Sequence, residues 1–248
     1  MNHPKFLDSL LFPQAKRYTV RDLSISLTTN AATRLANRLS QHELETLQGP
    51  VPDIGNEYDL TRLASSFFPL FDKAFFFGVL RRGMHPSLPI LTYNSADQDE
   101  GFYSHTQRQI QLNLNVEPPH GTSVGQRQLC VLLHEMLHAF LEIYSCGCRE
   151  CRKRAAAGAG MGVGESGHGK EWCSAMSALQ GALQDGVRWD VDCGIQVSVA
   201  IEVRASGWGP RGDLLRRWGV DEEQLSQDIE GMVGVTVQRR IFAFLWMK

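Results

Sequence analysis

No apolar run in this chain approaches the roughly 18 residues that a membrane-spanning helix needs. Its opening, MNHPKFLDSLLFPQAKRYTV, lacks the continuous apolar stretch and small-residue cleavage site of a secretory signal. The charge balance shows no excess either: 25 Lys and Arg stand against 27 Asp and Glu, for a net charge of -2 and a pI near 6.4. The expectation is a soluble intracellular protein without a membrane partner. A general nucleic-acid binder would carry a basic excess, so any contact with DNA must be local. No internal repeat is evident. At 248 residues and 43% hydrophobic, the chain can bury one substantial core with short extensions.

Against this plain background stands His134-Glu135-Met136-Leu137-His138. Residues four apart share one face of a helix, so His134 and His138 can ligate one metal ion while Glu135 reaches a water beside it. Zinc lowers the pKa of such a water toward about 7, and a carboxylate can then take its proton. The flanks predict the helix. Ser123 and Gln126 are spaced as a capping box, and Leu129, Leu132, Leu133, Met136, Leu137 and Phe140 follow at helical spacing. The histidines lie on a different stripe from Leu133, Leu137 and Phe140, as a helix anchored in a core and offering ligands to a cleft requires. Cys130, one turn before His134, reads as a small packed residue beside the site.

Catalytic zinc takes three protein ligands and a water, so a third donor is needed. Of the remaining histidines, His168 stands out because it opens Gly167-His168-Gly169-Lys170-Glu171-Trp172, continued by Met176, Leu179 and Leu183 at helical spacing. Flanking glycines permit close backbone approach. The alternative is an exposed loop histidine.

HEMLHAF at 134–140 followed by GHGKEW at 167–172 resembles the SprT-like zinc metalloproteases, the family of Spartan, in which the histidine of a GHGxxF/W element completes the zinc site. Residues 70–80, LFDKAFFFGVL, look like the aromatic helix and Gly-x-Leu that open that domain. Gly101-Phe102-Tyr103 and Gln109–Asn113 look like its central strands. The resemblance covers roughly residues 55 to 190. It implies a zincin-like domain with His134, His138 and His168 on zinc, Glu135 as general base, a nuclear location, and substrates that are proteins crosslinked to DNA or bound to chromatin. The chain departs from the family in the 29 residues between His138 and His168, a longer gap than is usual there, which implies an insertion.

That insertion carries Cys146, Cys148 and Cys151, then Arg152-Lys153-Arg154 and a run rich in Ala and Gly. Intracellular thiols at this spacing suggest a second, structural zinc with Cys193 as best candidate for a fourth ligand and a histidine as the alternative, or else three reduced thiols on a loop. Arg149, Arg152, Lys153 and Arg154 are candidate contacts for single-stranded DNA, against the alternative of a solvated basic loop.

Elsewhere, one helix is expected over Ala31–Leu47. A buried helical stripe runs over Asp59–Phe77, where Pro69 should kink or break it. Strands are expected at Leu88–Tyr93, Gly101–Thr106 and Gln109–Asn115, forming a small antiparallel sheet whose edge could pair with an extended substrate. Ile195, Val197, Val199 and Ile201 alternate as a further strand, and Asp221 is placed to cap a helix through Ile229. The apolar ending Arg239–Trp246 reads as core packing or a partner surface.

The expected architecture is therefore α+β: a zincin-like metalloprotease domain over 55–204 with an insertion at 145–166, an N-terminal extension over 1–54 and a C-terminal one over 205–248. Its small antiparallel sheet packs on an HExxH helix and a second ligand-bearing helix. The expected activity is zinc-dependent peptide hydrolysis. The alternatives are a zinc-stabilised binding protein without turnover and a metalloprotease unrelated to DNA.

Overall fold

Three short strands alternate in direction, and their order decides how they pair. In the computed structural model, which describes residues 18–29, 31–95, 99–116, 118, 122–151 and 163–232, these strands are β1 (Ile90–Tyr93), β2 (Gly101–Ser104) and β3 (Gln109–Asn113). The order is β1-β3-β2. With β3 in the middle, β2 pairs with it antiparallel through a tight turn, and β1 lies on its far side running parallel, Ile90 opposite Ile110. The sheet is thus mixed, not antiparallel as expected, because all-antiparallel pairing requires the sequential order. Each strand is also two residues shorter at one end than its pattern suggests. β2 is an edge strand.

Contacts divide the chain into two units, Thr29–Glu142 with Ala178–Cys193, and Met1–Thr28 with Ile143–Ser177 and Gly194–Lys248. The first holds the sheet, α2 (Ala31–Arg38), α3 (Gln41–Gln48), α4 (Glu57–Phe75), α5 (Leu80–Gly83), most of α6 (Val124–Tyr144) and the end of α7 (Lys170–Val187). Its core is aromatic. Phe67, Phe71, Phe75 and Phe76 are buried, with Trp189 in ring contact with Phe67 at 5.9 Å and Phe71 at 6.3 Å. These rings pack as core.

α4 runs through Pro69 without ending there. Proline removes the hydrogen bond to the carbonyl of Ser65, and both residues lie on the exposed face, where water can satisfy that carbonyl. The helix expected over 31–47 is two helices. Ser40 caps α3 with a capping box, its hydroxyl accepting from the Glu43 N–H while the Glu43 carboxylate accepts from the Ser40 N–H.

The second unit contains α1 (Val20–Thr28), the end of α6, the start of α7, α8 (Ile195–Ser206), α9 (Gly212–Trp218) and α10 (Glu222–Gly231). Ser24 of α1 donates to the Glu171 carbonyl at 2.7 Å, tying α1 to the first turn of α7. Asp221 caps α10 as expected, accepting from the Gln224 N–H at 2.9 Å. The strand expected at 195–201 is the helix α8. Its buried residues Ile195, Ser198, Val199 and Glu202 follow i, i+3, i+4, i+7, and left-handed Gly194 and Gly207 bound it. Two of those buried residues are polar, which hid the helical stripe behind alternating β-branched side chains.

No helix among the described residues is long and apolar enough to cross a membrane. Arg152, Lys153, Arg154 and the ending Arg239–Trp246 lie outside the described residues.

Candidate metal centre

α6 starts where its capping box places it: Gln126 N–H donates to Ser123 Oγ at 3.1 Å, and Ser123 N–H donates to Gln126 Oε1 at 3.3 Å. Leu129, Leu132, Leu133, Met136, Leu137 and Phe140 are all buried. Phe140 meets Phe76 at 5.4 Å and stacks on Phe77 at 6.2 Å. This anchored face fixes the rotation of α6 and turns His134 and His138 to its other side, where both keep partial exposure.

His134 Nδ1 lies 3.0 Å from the Cys193 carbonyl. A carbonyl only accepts, so Nδ1 carries the proton and Nε2 presents its lone pair. That nitrogen faces His138 Nε2 at 3.2 Å. Burial lowers the pKa of His134 to about 4, outweighing the bond to Cys193 that favours its charged form, so its imidazole is neutral and ligand-competent at pH 7.

His168 sits just before α7, after Gly167 with φ of 89°. Its ring meets Trp172 edge-on at 4.7 Å, and Trp172 is fully buried. His168 Nδ1 lies 3.2 Å from Ser166 Oγ, whose hydroxyl donates to Glu202 Oε2 at 2.7 Å. With that hydrogen committed to the carboxylate, Ser166 Oγ accepts from Nδ1, and the lone pair of His168 is then on Nε2. Glu202 is fully buried and also accepts the N–H groups of Glu165 at 2.9 Å and Ser166 at 2.8 Å. Glu165 spends its backbone there and does not join the ligand group.

His134, His138 and His168 are the histidines that could hold a metal ion, each offering one ring nitrogen. Nitrogens about 2.1 Å from one tetrahedral ion stand about 3.4 Å apart, close to the 3.2 Å of the His134–His138 pair. The neutral His134 imidazole, and the hydrogen bonds already made by the far nitrogens of His134 and His168, therefore suit a divalent metal ion.

Glu135 stands beside them, with Oε1 3.9 Å from His134 Nε2. It is buried, and burial raises its carboxyl to about 8, against a hydrogen bond from the Tyr103 N–H of β2 and with a further rise from the nearby Asp99 charge. A carboxyl near neutrality can both take and return a proton.

Cys130 is buried beside this helix face, as expected. Cys193 departs from expectation. Its thiol is paired with that of Cys130, which together with burial pushes its pKa up, and its N–H and carbonyl are held by Gln180 and His134. It serves the histidine site through its backbone, and among the described residues the close group of thiols is Cys146, Cys148 and Cys151 without it. Arg149 is exposed. The residues missed from the sequence are Ser166 and Glu202. The only sign of Glu202 was a lone acid in the apolar run Ile195–Val203.

Comparison with family models, curated proteins and solved structures gives no match for this chain. The assignment rests on the residues themselves.

Proposed function

We propose that this chain is a zinc-dependent endopeptidase with a zincin-like fold, acting on proteins crosslinked to DNA or bound to chromatin. The observation that carries the peptidase reading is the facing pair His134 and His138, their Nε2 atoms 3.2 Å apart, with Glu135 3.9 Å from His134. A purely structural site has no use for a buried general base.

Zinc held there would lower the pKa of a water, polarise a substrate carbonyl and favour the charged form of Glu135. The protein's residues do the rest. Cys193 and the Ser166–Glu202 pair hold two of the imidazoles in the tautomer that leaves Nε2 as donor. Glu135 takes the proton of the attacking water and returns it to the leaving amide nitrogen. β2, an edge strand whose Tyr103 N–H already reaches Glu135, lies where an extended peptide backbone could pair.

The substrate class rests on the resemblance of HEMLHAF and GHGKEW to SprT-like proteases, with Arg149 as an exposed cation in the insertion. The test is cleavage of casein and histone by purified, metal-analysed protein, with and without single-stranded DNA. The reading expects zinc-dependent cleavage that DNA stimulates, and loss of the stimulation when Arg149, Arg152, Lys153 and Arg154 are neutralised. Cleavage indifferent to DNA would leave a peptidase with another substrate, and zinc binding without cleavage would leave a binding protein.

A further inference from the structure

Cys146, Cys148 and Cys151 take no part in the histidine site, yet their sulfurs all lie within 4.8 Å of one another. All three are reduced, and none is buried. Backbone N–H groups donate to two of these sulfurs. Cys148 N–H donates to Cys146 Sγ at 3.4 Å, and the N–H groups of Cys151 and Glu150 donate to the Cys148 sulfur. Such N–H···S bonds hold the Cys146 and Cys148 sulfurs in place.

The segment is also fixed in place. Buried Tyr18 donates its N–H to the Tyr144 carbonyl at 3.2 Å and accepts the Cys146 N–H at 2.7 Å, forming a bridge with Ser145 at the end of α6. Cys146 therefore leaves α6 along a set path, and Cys148 and Cys151 turn back toward it. Thiolates select zinc or softer ions over magnesium and calcium. Zinc forms tetrahedral sites, and the partial exposure of all three cysteines leaves its fourth position accessible.

We propose that Cys146, Cys148 and Cys151 bind a second zinc ion as a three-thiolate centre, independent of the histidines, with a water or small solute as fourth ligand. The ion closes the turn that follows α6 and holds it against Tyr18. Nothing in this inference depends on peptidase activity.

Native mass spectrometry and metal analysis of the full chain test it. Two zinc ions per chain are expected, falling to one in the C146S/C148S/C151S variant. A His138→Ala/His168→Ala variant should also keep one, and its cobalt form should show the near-ultraviolet thiolate-to-cobalt band. On the intact chain, a mercurial thiol reagent should release one equivalent of zinc, a readout that survives if the serine variant fails to fold. The proposal is overturned if zinc content does not respond to the mercurial or to the serine substitutions, or if the chain purified without reductant carries a disulfide within this cluster. The histidine site fails separately, if the His138→Ala/His168→Ala variant binds as much zinc as the parent.

Discussion

Ser166 donates its hydroxyl to Glu202 at 2.7 Å, and through that bond a fully buried carboxylate on α8 sets the orientation of His168. Groups behind metal-ligating imidazoles contribute about 10- to 100-fold in affinity. Glu202→Gln should weaken zinc at the histidine site by about tenfold or more, read by competition with a chelator. Gly164→Ala should act in the same direction. Its φ is +80°, and an added Cβ would clash with the Glu202 carboxyl group. Parent-like affinity in both variants would detach Glu202 from the site.

Glu43 offers a pH test of the fold. A side-chain hydrogen bond from Lys73, supported by both bonds from Ser40, holds its carboxyl at about 2, below the ordinary 4.5. A carboxyl lowered in the folded state adds stability that is full above its unfolded pKa and disappears as pH falls through the folded one. The Tm of the parent should exceed that of Glu43→Gln at pH 7, and the gap should close between about 4.5 and about 2. A gap independent of pH would mean that the loss comes from packing alone.

Phe140 anchors α6 against Phe76 and Phe77. Truncation of a fully buried phenylalanine costs about 3 to 5 kcal/mol, so Phe140→Ala should show that loss in denaturant unfolding. A cost under about 1 kcal/mol would show that α6 is fixed by something other than this face.

α6 was legible because its signals are local: a capping box at Ser123 and Gln126, an apolar stripe, and two histidines four apart. His168 needed more, namely its glycine flanks and a family resemblance. The capping box at Ser40 and Glu43 was equally visible, and passing over it merged α2 with α3. α8 misled because its β-branched residues alternate, whereas its buried face includes Ser198 and Glu202, and the Glu202 carboxylate is explained only by Glu165 and Ser166, far along the chain. Strand order is a tertiary choice, and nothing local to β1 shows that it will join β3 on the far side from β2. Cys193 was weighed as a thiol, but its carbonyl does the work, and a backbone role leaves no trace in residue type.

In the proposed peptidase, Glu135 moves a proton while the histidines hold the metal. The most direct measurement pairs zinc content with casein cleavage in Glu135→Gln. Zinc stoichiometry and Tm should match the parent while cleavage falls at least 100-fold, the lower end of what a positioned general base contributes, at about 10² to 10⁴. Cleavage at the parent rate by the zinc-loaded Glu135→Gln protein would contradict the account.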